Sequence, residues 1–239
     1  FRQKKVTELK NDFINNMTHE FKTPISTISL AAQMLTDNSV SKSSQMLQHI
    51  TGIINDETKR LRFQVEKVLQ VSLFDQQKVT MKMREIDINE LVTGVVNTFA
   101  LKVENNGGTI VTHLNATDSV VVADEMHITN VVFNLMDNAV KYKRDDEALR
   151  LTVKTWNESD KFCLSIQDNG VGIKKEDLKR VFDRFYRVHT GNVHDVKGFG
   201  LGLAYVKKVV QDHRGAIRAE SEVGVGTTFI IVLPLLIKK

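Results

Sequence analysis

The feature that most constrains the fold is a long apolar stripe near the beginning of the chain. Apolar residues recur there every three or four positions, at Val6, Leu9, Phe13, Met17, Phe21, Ile25, Ile28, Ala32 and Leu35. That spacing puts them on one face of a helix, so residues 6–35 are predicted to form one long amphipathic helix. Pro24 interrupts the backbone hydrogen bonding and predicts a kink.

A second helix is predicted after a polar turn at residues 36–44. Its apolar positions form a heptad-like seam at Leu47, Ile50, Ile54, Leu61, Val65 and Val68. Two amphipathic helices alone bury too little apolar surface to be stable. We therefore expect two copies of this hairpin to associate as a dimeric four-helix bundle.

The hairpin also carries a candidate phosphoryl acceptor, His19, which is followed directly by Glu20. An imidazole can accept a phosphoryl group when one ring nitrogen is unprotonated, and a neighbouring carboxylate can hold the proton of the other nitrogen. At about 100° per residue, His19 is turned by roughly 200° from Met17 and Phe21. Its imidazole is therefore predicted to face water.

The sequence pattern changes after Phe74, where a polar connector follows at residues 75–84. We place the domain boundary here, which separates a helical hairpin at 1–76 from a second domain at 77–239. The second domain mixes predicted helices (88–103, 124–141 and 201–213) with predicted strands (109–114, a hairpin within 149–166, and a pair near 216–221 and 227–233). Hairpins among helices indicate an α+β fold rather than a doubly wound parallel sheet.

Composition excludes several classes of protein. The net charge of +4 is spread without a long basic run, which argues against nucleic-acid binding. The single Cys163 excludes an internal disulfide framework and a multi-cysteine metal cluster. No apolar run approaches the roughly 20 residues of a membrane-spanning helix. The charged opening segment reads like the middle of a helix, so we expect a fragment whose upstream part is missing.

The predicted helix at 124–141 carries a polar face. Asn134, Asn138 and Lys141 follow at spacings of four and three, so they share one side. An amide oxygen can bind Mg²⁺ that is completed by substrate phosphates, and an ammonium can neutralise phosphate charge. A merely solvated helix face explains this pattern equally well.

Three glycine clusters follow, at 168–172, 198–202 and 224–228. The first ends a strand and begins with Asp168, which can accept a hydrogen bond from an exocyclic amine. The second precedes an apolar helix whose N-terminus can bind phosphate. Between them, aromatic residues at 182–186 and Arg187 precede a polar stretch suited to a mobile lid. Taken singly, each cluster is explained as well by an ordinary turn or surface loop.

Taken together, these motifs resemble the sensor histidine kinases of two-component signalling. FINNMTHEFKTPI is similar to the H box of that family and NVVFNLMDNAVKY to its N box. QDNGVGI, KGFGLGLAYVKKVV and GVGTTFIIVLP resemble its three glycine boxes, and FDRFYRV resembles its F box. The six boxes stand in the family's order and cover nearly the whole chain.

The resemblance implies a role for each matching residue. His19 would be the phosphorylated histidine, Glu20 its base or orienting partner, and Thr23 the residue that orients a water for dephosphorylating the partner. Asn138 would bind Mg²⁺, and Asp168 would accept from the adenine amino group. The remaining residues would bind ATP or form its lid and hinge: Asn134, Lys141, Tyr142, Gly170, Gly172, Arg187, Gly198, Gly200, Leu201, Gly202 and Thr228.

The resemblance also implies an activity and partners. The second domain would be a Bergerat-type α/β sandwich of the kind found in gyrase and MutL. The enzyme would transfer the γ-phosphoryl group of Mg-ATP to His19 and then to an aspartate of a response regulator receiver domain, which it could also dephosphorylate. The chain would be a homodimer and the cytoplasmic portion of a sensor that is anchored in a membrane through its missing upstream segment.

Two alternatives remain at this level. One is an ATPase whose hydrolysis drives a conformational clamp, as in the gyrase-like relatives. Those relatives place an acidic general base on the N-box helix, where this chain has Asn134. The other is a scaffold that binds ATP without transferring phosphate, which only an assay distinguishes from a kinase.

Overall fold

The chain folds as two compact units in a computed structural model that describes residues 2–37, 43–75, 81–188 and 200–236. Unit 1 is Phe1–Val79 and unit 2 is Thr80–Lys239. The boundary predicted after residue 76 falls outside the described residues and stays a prediction. Within the described part of the chain, no helix has both the length and the apolar character that a membrane span requires.

Unit 1 is a hairpin of two long helices, α1 at Arg2–Thr36 and α2 at Ser44–Asp75. Pro24 lies inside α1, and the helix continues beyond it. Because proline has no backbone N–H, one helical hydrogen bond is missing at this position.

The packed face of α1 follows a heptad period. Met17, Pro24 and Ala31 are buried, each seven residues after the last. Ile25, which the apolar stripe assigned to the core, is 53% exposed, and Ala32 is exposed as well. In the single hairpin these two positions lie beside the α1–α2 seam, because a helix that keeps one seam against a neighbour repeats every 3.5 residues rather than every 3.6.

Unit 2 has the predicted α+β composition. Its helices are α3 at Ile88–Glu104, α4 at Glu125–Lys141, α5 at Lys175–Leu178 and α6 at Gly202–Asp212. Its strands are β1 at Arg84–Asp87, β2 at Thr109–Leu114, β3 at Val120–Ala123, β4 at Arg150–Glu158, β5 at Lys161–Asp168, β6 at Ala216–Glu222 and β7 at Gly226–Pro234. The short elements β1, β3 and α5 were not predicted from the sequence.

The strands form two sheets. The five-stranded sheet has the order β2-β4-β5-β7-β6, in which only the β2–β4 pair is parallel. The small sheet pairs β1 with β3 in antiparallel register. Strand β5 is central and is buried continuously over residues 162–166, so its end at Asp168 is held firmly. This strand end and the adjacent end of α4 form the candidate site described below.

The beginning of α4 is fixed by a buried polar network around Asp124. Its carboxylate accepts from the backbone N–H of Lys82 at 2.8 Å and of His127 at 3.1 Å. The Asp124 N–H donates to Nε2 of His213 at 2.9 Å, and Nδ1 of the same ring lies 2.7 Å from the Val209 carbonyl. Since Nε2 must accept and Nδ1 must donate, His213 is held as the neutral tautomer. The network joins the chain entry into unit 2 to both α4 and α6.

We expect Asp124→Ala to lower the free energy of unfolding of unit 2 by about 2–4 kcal/mol. The substitution removes an N-cap and leaves the Lys82 N–H without its acceptor. Urea unfolding followed by the fluorescence of Trp156, the single tryptophan, reports on this unit.

Asp87→Ala is the matched control for this change. Asp87 caps α3 through one exposed bond to the Glu90 N–H at 3.2 Å, so its loss is expected to cost about 1 kcal/mol. Equal losses for the two variants would contradict a special role for the buried Asp124 network.

Candidate functional site

The polar face of α4 holds the side chains that were predicted to bind phosphate and metal. Asn134 donates from Nδ2 to the Asn130 carbonyl at 2.7 Å, which leaves its Oδ1 directed away from the helix backbone. A Cβ added to Gly202, the first residue of α6, would lie 3.0 Å from that Oδ1. The beginning of α6 therefore packs closely against Asn134, while Asn138 on the same face is half-buried.

The ammonium group of Lys141 contacts Oδ2 of Asp137, one turn earlier on α4. The other oxygen of Asp137 is 2.5 Å from Nζ of Lys102, a residue of α3. Asp137 is buried, with its side chain 11% exposed. Burial alone would raise the pKa of Asp137, but Lys141 and Lys102 together hold it below its usual value. The carboxylate is therefore ionised and doubly paired.

The first glycine cluster packs on the end of α4. Tyr142 terminates the helix, and its carbonyl accepts from the Val171 N–H at 3.0 Å. A Cβ at the buried Gly170 would overlap this carbonyl, so only glycine allows the approach. The predicted site residues Tyr142, Gly170 and Asp168 are thereby brought together.

Asp168 ends strand β5 and is half-buried. Its Oδ1 accepts from the Gly170 N–H at 2.8 Å and from the Thr227 N–H at 3.2 Å. Burial raises the pKa of Asp168 to about 6, although both hydrogen bonds act in the opposite direction. Since both of these bonds use Oδ1, the second oxygen can accept a hydrogen bond from a ligand.

The family resemblance predicted that Thr228 assists Asp168, whereas the register of the sheet pairs Asp168 with Thr227. The Thr227 hydroxyl is buried and lies 2.9 Å from the Ser221 hydroxyl. Thr228 pairs with Gln167, and neighbouring residues of a strand point to opposite faces. The geometry thus favours Thr227 beside the carboxylate. In the sequence, Thr227 could have been found as the residue that directly follows Gly226.

Gly172 forms the turn beyond Asp168. Its φ of +71° lies in the left-handed region, and a Cβ there would overlap the carbonyl oxygen of Glu222. The first glycine cluster and the turn between β6 and β7 are therefore in direct backbone contact, next to the Asp168 carboxylate.

The predicted lid is only partly within the described residues. Residues 189–199, including Gly198, lie outside them. At the borders of this segment, the Phe185 N–H donates to the Gly200 carbonyl at 2.9 Å, and Arg187 is exposed. Leu201 is buried and its carbonyl accepts from the Tyr205 N–H at 2.8 Å, which begins α6 at Gly202.

The predicted catalytic residues belong to α1 in unit 1. His19 lies within this helix, and its side chain is outside what the structure describes. Glu20 is half-buried and Thr23 is exposed. The Thr23 carbonyl accepts from the Thr27 hydroxyl at 3.1 Å.

The donors on α4 suit a magnesium ion that takes most of its ligands from a bound nucleotide. In the described ranges, no group of three or more His, Cys, Asp or Glu side chains could hold a metal ion by itself. Asn138 offers a hard amide oxygen, and Mg²⁺ commonly completes such a site with phosphate oxygens and water. The residues present therefore fit the ion.

Two family models match the chain. The His Kinase A (phospho-acceptor) domain matches residues 9–77. The family described as histidine kinase-, DNA gyrase B-, and HSP90-like ATPase matches residues 123–237. The second match identifies unit 2 as an ATP-binding domain.

Two similar proteins are a sensor protein and a sensor histidine kinase. The sensor protein RprX of Bacteroides fragilis (strain YCH46) is 75% identical over 236 residues, which are 99% of this chain and 46% of that protein. The sensor histidine kinase WalK of Bacillus subtilis (strain 168) is 31% identical over 232 residues, 97% of this chain and 38% of that protein. The chain thus spans less than half the length of either relative.

The fold is also similar to that of the histidine kinase ThkA, solved in complex with the response regulator protein TrrA. The TM-score is 0.64 at 23% sequence identity, covering 98% of this chain and 64% of that chain. Both family models agree with the order of the six sequence boxes, and so does the similarity to RprX and WalK, which extends over nearly all of this chain. The chain belongs to the bacterial sensor histidine kinases.

Proposed function

We propose that this chain is the catalytic core of a protein-histidine kinase that phosphorylates His19 with Mg-ATP and passes the phosphoryl group to an aspartate of a response regulator. One observation supports the assignment of the nucleotide site. Two backbone N–H groups donate to Oδ1 of Asp168, so that Oδ2 can accept from a ligand. A half-buried acceptor with one oxygen already oriented is suited to the exocyclic amine of adenine.

Binding of ATP is divided among three elements. Asp168 accepts from adenine, with Gly170, Gly172 and Thr227 shaping its surroundings; Thr227 replaces the predicted Thr228 here. Asn134 and Lys141 on α4, with Tyr142 just after its end, contact the phosphates, and Asn138 would hold Mg²⁺. Arg187, Gly198 and Gly200 would belong to the lid, and Leu201 and Gly202 to the N-terminus of α6 that follows it. When bound, Mg²⁺ neutralises phosphate charge and orients the terminal phosphate.

The transfer step exchanges one bond for another. The unprotonated nitrogen of His19 donates its lone pair to the γ-phosphorus, and the bond from phosphorus to the bridging oxygen breaks. ADP leaves with that electron pair. Glu20 accepts a hydrogen bond from the N–H of the other ring nitrogen, which fixes the tautomer, and it takes that proton as the ring becomes positively charged. Such reactions need positioning and charge neutralisation more than covalent help, so unit 2 must carry ATP to α1.

The partners follow from the same proposal. Apolar side chains on unit 1 are exposed in the single chain, among them Ile25, Leu30, Leu47 and Val65 at 39–61%. A second hairpin would cover them in a four-helix bundle. The receiver domain of a response regulator would dock on this bundle near His19, where Thr23 orients water for dephosphorylation. In the full-length sensor, this core would lie on the cytoplasmic side of a membrane.

Incubation with γ-labelled ATP tests the proposal directly. We expect one label per chain that is acid-labile and alkali-stable, as a phosphohistidine is, and its complete loss in His19→Gln. His49→Gln is the matched control, because His49 lies on an exposed part of α2 and is expected to leave labelling unchanged. Label that persists in His19→Gln would overturn the assignment of the acceptor.

The ATPase alternative lacks a suitable base among the described residues of α4. Asp137 is the buried carboxylate beside Asn138, but both of its oxygens pair with ammonium groups. A carboxylate with a lowered pKa that is engaged in this way is a poor proton acceptor. Release of inorganic phosphate by His19→Gln at the wild-type rate would favour the ATPase over the kinase.

A further inference from the structure

Lys102 lies on α3, outside every motif that carried the family resemblance. It nevertheless meets the polar face of α4, with Nζ 2.5 Å from Oδ1 of Asp137. Lys141 occupies the other oxygen of the same carboxylate. One acidic side chain therefore holds two ammonium groups, one from each helix.

The position of Lys102 is supported by packing as well as by charge. Its ammonium lies 5.1 Å from the centre of the Phe99 ring, and that ring packs edge-to-face on Phe133 with centroids 5.0 Å apart. The Phe99 ring therefore adds a cation–π contact to the ammonium at the place where it meets Asp137. The side chain of Lys102 is 46% exposed to solvent, and that of Lys141 is 29% exposed.

This arrangement presents a conflict for Lys141. The residue is expected to bind phosphate, yet its ammonium is committed to Asp137. If Lys141 moves to a nucleotide, it must leave Oδ2 of a carboxylate that is 11% exposed. Leaving a buried charge without any partner is strongly unfavourable. A second ammonium that stays in place removes most of that penalty.

We propose that Lys102 is a positioning residue of the nucleotide site, because by remaining on Asp137 it allows Lys141 to leave that carboxylate for the triphosphate. The inference rests on the proposed function, since it requires that Mg-ATP binds along α4. It predicts that Lys102 affects binding through Asp137 and Lys141 rather than by touching the nucleotide.

Calorimetric titration of Mg-ATP and of adenosine into the folded full chain tests this coupling. Lys102→Met is expected to lower the affinity for Mg-ATP about tenfold. The affinity for adenosine should change less than about twofold, because adenosine has no phosphate for Lys141 to contact. In Asp137→Asn, the partner that restrains Lys141 is gone. Adding Lys102→Met to Asp137→Asn should therefore weaken Mg-ATP by less than about threefold.

Lys143→Met controls for the loss of one positive charge near the site. Lys143 follows α4 closely in sequence, but its ammonium donates to the Asn106 carbonyl at 3.1 Å. The Lys143→Met variant is therefore expected to lower the affinity for Mg-ATP by less than about threefold. Lys102→Arg keeps the charge and should bind as the wild type does.

Several results would overturn the inference while leaving the kinase proposal intact. The first is a Lys102→Met variant that binds Mg-ATP with wild-type affinity. The second is a loss of affinity for adenosine as large as that for Mg-ATP. The third is a tenfold loss of Mg-ATP affinity that persists when Lys102→Met is added to Asp137→Asn. If Lys102→Met does not fold, the lysine ammonium resonances of the wild type decide: Lys141 should shift on addition of Mg-ATP and Lys102 should not. Failure of the wild type to bind Mg-ATP would instead refute the proposed function.

Discussion

Asp168→Asn is expected to weaken ATP binding about 100-fold and, at the same time, to stabilise unit 2. In the variant, Oδ1 still accepts from the Gly170 and Thr227 N–H groups, so the amide nitrogen takes the place of Oδ2. A donor would then face the adenine amine, which is also a donor. Losing a charge-assisted hydrogen bond costs roughly 1.5–3 kcal/mol, and the opposed donors add to this.

The gain in stability follows from the pKa of Asp168, which burial raises from 3.8 to about 6. The folded state therefore favours the neutral carboxyl. The chain is expected to lose stability as the pH rises from about 4 to about 6, and above pH 6 the full cost of roughly 1–3 kcal/mol is present. Asn has no such cost, so the variant should be more stable at neutral pH and equal to the wild type near pH 4.

Calorimetry with Mg-ATP and urea unfolding followed by Trp156 fluorescence measure the two effects. Asp118→Asn, at an exposed position, controls for the change in net charge. In the wild type, ATP affinity should fall as the pH drops below about 6, since protonation removes the acceptor. A variant that binds ATP normally would refute the role of Asp168, and a destabilised variant would refute the raised pKa.

Gly172→Ala is expected to destabilise unit 2 by about 3–5 kcal/mol. Its φ of +71° costs a side chain roughly 1–2 kcal/mol, and the new Cβ would also overlap the Glu222 carbonyl. The turn between β6 and β7 would have to move, and Thr227 would be drawn away from Asp168. ATP affinity should fall together with stability.

Gly107→Ala separates the two causes of the expected destabilisation, which are backbone strain and overlap with a neighbouring residue. Gly107 has a φ of +70°, but a Cβ there would meet nothing within 4 Å. It is expected to cost only the roughly 1–2 kcal/mol of backbone strain. Equal losses in the two variants, measured by urea unfolding, would show that the contact with Glu222 carries no energy.

The sequence alone determined the parts of this protein that depend on near neighbours in the chain. The periodicity of α3 and α4 and the alternation in the β4–β5 hairpin predicted these elements, because such patterns record which face each residue buries. The six boxes in their family order identified the family. The side chain of His19 and residues 189–199 of the lid lie outside the described residues, and the roles proposed for His19 and the lid stay predictions.

Tertiary structure decided whatever depends on which distant segments meet. The four-residue strands β1 and β3 form because they pair with each other, which neither pattern signals alone. The choice of Thr227 over Thr228 required the register between β5 and β7, since a shift of one residue exchanges the faces of a strand. Likewise, Lys102 reaches Asp137 only because α3 packs on α4. Contacts between residues far apart in sequence leave no local period, so the pairing of Lys102 with Asp137 could be seen only in the folded chain.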